Sequence, residues 1–365
     1  MPGNGKPLYE NLKYCARCCL PETCESIKFD EMGICTACRS SEQKMHIDWK
    51  KRERQLSELI NKYKDRPDSY YDCIVPISGG KDSCFQLHVI TKVYGLRALA
   101  VTFNHNWYSE VGKYNLFNVL EKCDVDHIMY TPSRSLINRL AKKSLYKIGD
   151  SCWHCHAGVG AFPLQVAVKF NIPFIIWGES IAEHYKATHY EPVPFDANYF
   201  KRVSSKLSSC EMTCEEISKR ELCFFMIPSS EELEKVGVVG IHLGDYIFWD
   251  EERQVEFIKK YYGWKEDNVE GTYKKYKSVE CKMIGVHDYI KFIKRGFCRA
   301  TDHASADVRA GLMTREEGFD IIKEVDPERP NGLDYYLETT GMSEEEFIRV
   351  CKSLREGKAK NLPQG

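Results

Sequence analysis

Six consecutive residues, Ser78-Gly79-Gly80-Lys81-Asp82-Ser83, combine two glycines, a cation and a carboxylate directly after an apolar run and at the start of a helical one. Adjacent glycines permit a tight turn and close backbone approach, and the amides they expose face whatever sits at the helix N-terminus, where the dipole favours an anion. That chemistry is phosphate binding. A Walker A loop would place a glycine at Val75 and a Ser or Thr at Asp82, so it is excluded. The glycine spacing also excludes a dinucleotide fingerprint.

Thiols are the second chemical resource. The pairs Cys15-x-x-Cys18 and Cys35-x-x-Cys38 are two knuckles that can close a tetrahedral thiolate site, and so short a segment could hardly fold without its ion. A structural zinc is expected there, with Cys19 and Cys24 spare. Cys152 and Cys155 have the same two-residue gap. They are either a buried structural pair or two ligands of a second metal, with a third from Cys223, Cys281 or Cys298.

The chain has 365 residues, 17 cysteines and a formal charge of -1 from 52 basic and 53 acidic side chains. Its length suits about two domains. The near-zero charge forecasts no polyanion-binding surface, so nucleic acid is not an expected partner, although a local patch is possible. Met1 to Tyr14 has no apolar core of the kind a signal peptide needs, and no window approaches a spanning helix. A reducing cytoplasm is expected, where thiols and metal thiolates persist and structural disulfides do not.

Alternating short apolar runs and amphipathic stretches must position these groups. Strands are expected at Cys73 to Ile77, Ala98 to Phe103, His127 to Tyr130 and Pro173 to Trp177. Helices are expected at Glu42 to Asp65, Ser83 to Tyr94, Lys113 to Lys122, Ser133 to Lys147 and His156 to Phe170. The repetition predicts an α/β fold with a parallel sheet, whose ligands bind at the carboxyl ends of the strands. The rhythm is lost from Glu183 to Ser230, which reads as an insertion or lid. Helices return at Glu251 to Tyr262, Val286 to Lys294, near Ser305, Thr314 to Glu324 and Ser343 to Arg355, with capping-box spacing at Thr314/Glu317 and Ser343/Glu346. The expected division is a zinc-binding module at 1–45, a linker helix at 46–70, an ATP-binding domain at 71–200 and a mainly helical substrate or partner region at 201–365.

The Ser78 to Ser83 run resembles the PP-loop of the ATP pyrophosphatase superfamily, whose members bind ATP, release pyrophosphate and transfer AMP to a substrate oxygen. By that resemblance Ser78, Gly79, Gly80 and Ser83 hold the pyrophosphate part of ATP, Lys81 offsets its charge and Asp82 holds magnesium. The Thr102 to Trp107 segment, with Asn104 and His105, would border the adenosine. Glu179, in Trp177-Gly178-Glu179-Ser180, is placed to bind metal or polar substrate. A C-terminal string follows: Gly271-Thr272-Tyr273, Arg299 to Ser305, then Arg309, Gly311 and Thr314 to Gly318. Together with the knuckles and Cys152-Trp153-His154-Cys155, these motifs make the chain resemble N-acetyl sugar amidotransferases from end to end.

The resemblance implies ATP-dependent conversion of an acetamido group of a nucleotide-linked sugar into an acetamidino group, in bacterial lipopolysaccharide O-antigen or flagellar glycan synthesis. Arg299, Asp302 and His303 are candidate substrate or phosphate contacts, against a helix-capping role for Thr301 or Asp302. There is no glutaminase signature, so the resemblance implies a separate glutaminase subunit supplying ammonia, with a companion barrel protein as a further partner. Two other readings compete: a tRNA-thiolating enzyme of the same superfamily, in which Cys152 and Cys155 carry sulfur or ligate an iron–sulfur cluster, and a non-catalytic zinc scaffold.

Overall fold

A computed structural model describes residues 5–180, 192 and 209–363. Its centre is a five-stranded, wholly parallel sheet of β1 (Cys73–Pro76), β2 (Ala98–Phe103), β3 (His127–Tyr130), β4 (Phe174–Trp177) and β5 (Val239–His242), in the order β3-β2-β1-β4-β5. The order reverses between β1 and β4, and at such a point the loops leaving the two strands diverge and open a crevice.

Both faces of the inner strands β1, β2 and β4 are covered, which is why these read as continuous apolar runs. Successive side chains alternate between two cores. Val75, Ala98, Ala100, Phe174 and Ile176 pack with α2 (Trp49–Tyr63), α3 (Lys81–His88), α4 (Glu110–Cys123) and α8 (Glu251–Tyr262). Ile74, Leu99, Val101 and Ile175 face α5 (Arg134–Ile148) and α6 (Trp153–Phe170). Beyond those lie α9 (Ile284–Arg295), α12 (Gly332–Thr340) and α13 (Glu344–Ser353). The described helices are completed by α1 (Thr36–Lys44), α7 (Ser230–Val236), α10 (Arg299–Ala310) and α11 (Arg315–Val325). Among the described residues no helix is long and apolar enough to cross a membrane.

The expected strands and helices of the first 180 residues are present, with one correction. The single helix expected from Glu42 to Asp65 is two, because the Asp48 carboxylate accepts from Lys51 N and starts α2 afresh. Thr314 and Glu317 close a complete capping box at α11, and Ser343 caps α13 by accepting from Glu346 N. The fifth strand was not expected: Val239 to His242 is interrupted by Gly240 and shows neither an apolar run nor alternation. It lies beyond the boundary drawn at residue 200 and completes the sheet beside β4. The insertion expected from Glu183 to Ser230 falls largely outside the described residues. Its last part holds 3-10 turns at Ser209–Met212 and Cys223–Phe225.

The N-terminal cysteine segment packs on the C-terminal helices. Arg315 donates from Nε to Cys18 O (3.1 Å) and from Nη2 to Cys15 O (2.9 Å), Phe297 seals the thiol cluster, and Arg295 pairs with Glu25.

Candidate functional site

The loop from Ser78 to Ser83 leaves β1 at the crevice and opens α3, with Gly80 as N-cap. Gly79 has φ +84°, a left-handed conformation that glycine adopts without strain, and a side chain there would strike Gly112 O and Leu116. Trp264, buried, donates from Nε1 to Gly79 O at 2.9 Å. Ser83 Oγ accepts from Ser78 N (3.2 Å) and donates to Gly80 O (3.1 Å), so both serines shape the turn.

Lys81 is buried, and its ammonium lies 2.5 Å from Asp82 Oδ2 and 3.4 Å from Glu251 Oε1. Burial alone would lower its pKa, but the carboxylates of Asp82, Glu251 and Glu179 outweigh that and hold it above the ordinary lysine range. Asp82, Glu179 and Glu251 each offer an oxygen within 4.8 Å of the others, a spacing that suits a hard divalent cation. Burial pushes the Asp82 carboxyl up against the opposing pull of Lys81, whereas Lys81 and Lys277 overcome the burial of Glu251 and hold it down. Trp249 donates from Nε1 to Asp82 Oδ1 at 3.2 Å. The loop after β4 is brought alongside by Gly244 N, which donates to Gly178 O at 2.9 Å, and Gly178 sits against Asp82 and Trp249.

Glu280, Glu251 and Lys277 are members of this cluster that sequence reasoning missed. Glu280 lies on a strap held by Ser109 N donating to Glu280 O (3.0 Å), Lys282 N donating to Trp107 O (2.9 Å) and a bridge between Tyr108 and Cys281. Its carboxylate fills the space over Gly80, its Oε2 is buried without a hydrogen-bond partner, and burial, reinforced by Asp82, pushes its pKa up. Lys277 pairs with Glu251, and burial together with Lys81 lowers its pKa. None of these three stands in a motif. Only the length of chain between them and the loop, closed by the fold, brings them in.

The expected substrate residues converge on the same region unequally. Arg299 pairs with Asp288 (Nε to Oδ2, 2.9 Å), and His303 Nδ1 is 2.7 Å from Thr272 Oγ1. Burial, then Lys277, Arg299, Lys274 and Lys81, drives the His303 pKa well below its usual value, which disfavours its charged form beside Lys81. Asp302 instead receives Lys291 at 2.6 Å, and Thr301 Oγ1 donates to Asp326 Oδ2 at 2.6 Å. Asn104 and His105 hold the turn after β2. Asn104 Oδ1 accepts from Asn106 N (2.8 Å) and its amide donates to Thr131 (3.0 Å), while buried His105 stacks on Tyr108 and accepts from Trp107 N.

The four knuckle cysteines form one buried cluster, with Cys15 and Cys38 sulfurs 3.9 Å apart and Cys18 and Cys35 sulfurs 3.7 Å apart. A tetrahedron of sulfurs about 2.3 Å from one ion has edges of about 3.8 Å, so the set fits a metal. Backbone N–H groups of Cys18 and Cys35 point at Cys15 Sγ, which favours its thiolate. Cys152 and Cys155 sit at the start of α6, and Cys281 lies in electrostatic reach of both. Cys223 is exposed, and Cys298 donates to Asp326.

A comparison with curated proteins finds no match. Residues 270–360, which carry the Glu280 strap and α9 to α13, match a family model described as the C-terminal domain of LPS biosynthesis protein WbpG-like. Residues 270–360 are thus similar to the C-terminal domain of WbpG-like LPS biosynthesis proteins.

Proposed function

We propose that the protein is a PP-loop enzyme that uses ATP to convert the acetamido group of a nucleotide-linked N-acetyl sugar into an acetamidino group for LPS O-antigen. The observation carrying this reading is the convergence of Lys81, Asp82, Glu179 and Glu251 at the phosphate loop with Glu280, Lys277, Arg299 and His303 from the LPS-biosynthesis domain. One half of that set suits a nucleotide triphosphate and the other a polar organic substrate.

An amide carbonyl is a poor electrophile, so it must be activated before nitrogen can enter. The acetamido oxygen attacks the alpha-phosphorus of ATP, its bond to phosphorus forms as the bond to pyrophosphate breaks, the amide N–H proton passes to solvent, and an O-adenylyl imidate results. The loop amides and Lys81 receive the charge that develops on the departing pyrophosphate. Magnesium, held by Asp82, Glu179 and Glu251, would neutralise further phosphate charge. Ammonia then attacks the imidate carbon, AMP leaves with the former acetamido oxygen, and a proton is lost to give the amidine. Glu280, beside Gly80, is positioned to take that proton. Ammonia comes from a separate glutaminase subunit, with a companion barrel protein as its channel. The four-cysteine site holds structural zinc and braces the C-terminal domain, and the enzyme works in the cytoplasm.

The test is incubation with ATP, magnesium, ammonium and a panel of nucleotide-linked N-acetyl sugars, with mass spectrometry for replacement of an oxygen by NH. Turnover on a sugar, lost in Asp82→Ala, is the expected result. ATP consumption driven by tRNA, with sulfur incorporated into it, would overturn the proposal in favour of a thiolating enzyme.

A further inference from the structure

We infer that Asp150, Cys152 and His287 form a second metal site, suited to zinc or a similar divalent transition metal and separate from the four-cysteine cluster. Each residue offers a ligand atom within 4.8 Å of the other two. The residues come from the turn between α5 and α6 and from the first turn of α9, so the set exists only in the folded chain. Asp150 Oδ1 accepts from Cys152 N at 2.7 Å and faces His287 Nδ1 at 3.2 Å, although Asp150 and His287 are 137 positions apart. The turn is clamped on α9 a second time, because Lys294 Nζ donates to Ile148 O and Gly149 O at 2.9 Å each. Two independent ties to one helix pre-organise the ligands, as a metal site requires.

The donor set narrows the ion. Thiolate, imidazole and carboxylate together match zinc-class ions and not magnesium or calcium, which take oxygen. A thiolate and a carboxylate also balance a 2+ charge, which makes partial burial tolerable. Cys152 is buried, while Asp150 and His287 retain some exposure, so a fourth position is open to water, substrate or a neighbouring side chain. His156, whose ring centroid is 6.1 Å from that of His287, lies nearby. The site adjoins the phosphate-loop cluster: Glu280 covers Gly80, and its neighbour Cys281 is in electrostatic reach of Cys152. Cys155, paired with Cys152 in the sequence, is outside the tight set, and its role falls to Asp150 and His287.

Metal content reads this directly and independently of any turnover. The full-length protein, stripped and titrated with Co2+ in excess Mg2+ that fills the Asp82, Glu179 and Glu251 set, is expected to take up two equivalents, as is the Zn2+-loaded protein by elemental analysis. Cys152→Ala and His287→Gln, each confirmed as folded by circular dichroism, should lose one equivalent and keep the intense thiolate-to-cobalt absorption of the four-cysteine site. Cys35→Ser should lose that absorption and retain the weaker one-thiolate band. A single equivalent in the unaltered protein, two equivalents in both Cys152→Ala and His287→Gln, or a brown iron–sulfur chromophore would overturn the assignment.

Discussion

Gly112 stands in the first turn of α4 where the Glu280 strap crosses it, and Gly112→Ala separates fold from function. A methyl group there would lie 2.9 Å from Glu280 Cβ, 3.0 Å from Glu280 O, and closer still to Glu280 Cα. Carbon atoms rest at about 3.5–4.0 Å, so the strap must retreat by roughly 1 Å. Overpacking of this kind costs about 1–3 kcal/mol, while alanine in place of glycine inside a helix returns about 1 kcal/mol, leaving a net loss of about 0–2 kcal/mol. The strap carries Glu280 over Gly80, and a displacement of about 1 Å of a positioned group costs about 100-fold in rate. Urea denaturation should therefore show a modest loss of stability, while sugar-dependent pyrophosphate release falls about 100-fold with ATP binding retained. Normal turnover in a variant of normal stability would refute the placement of Glu280 at the reacting centre.

Other perturbations probe the remaining parts. Glu251→Gln removes one of three carboxylates beside Lys81, and the magnesium concentration for half-maximal pyrophosphate release should rise about tenfold, as expected for losing about 1.4 kcal/mol of contact; an unchanged requirement would assign Glu251 a purely structural role. Arg315→Met leaves the Cys15 and Cys18 carbonyls without their charged donor and should lower stability by about 2 kcal/mol in denaturant titration, with zinc content preserved. Burial lowers the His105 pKa to about 4, so below about pH 6.5 the unfolded chain binds a proton that the folded chain refuses. Stability should fall on the order of 3 kcal/mol as pH drops from about 6.5 to about 4, and His105→Gln should reduce that slope in urea titrations.

How much of this was legible in the sequence follows from the range over which each force acts. The phosphate loop, the knuckles and the capping box at Thr314 are local: a glycine pair, a two-residue cysteine gap or a Thr with a Glu three positions on is satisfied within one turn. Strands buried on both faces announce themselves as apolar runs, so β1, β2 and β4 could be read. β5 could not, because four residues with a glycine owe their pairing to the exposed edge of β4.

The sequence by itself determined which groups are available: a glycine-rich turn with a lysine and an aspartate, four cysteines spaced for a metal, and an α/β frame to hold them. The tertiary structure decided which residues share a site. Glu251, Lys277 and Glu280 reach Lys81 and Gly80 only because a helix and a strap from beyond the sheet fold back over the crevice, and Asp150 meets His287 only because α9 packs against the turn before α6. Coulombic attraction and metal coordination act through space over a few ångströms, whereas sequence spacing reports proximity only within one element.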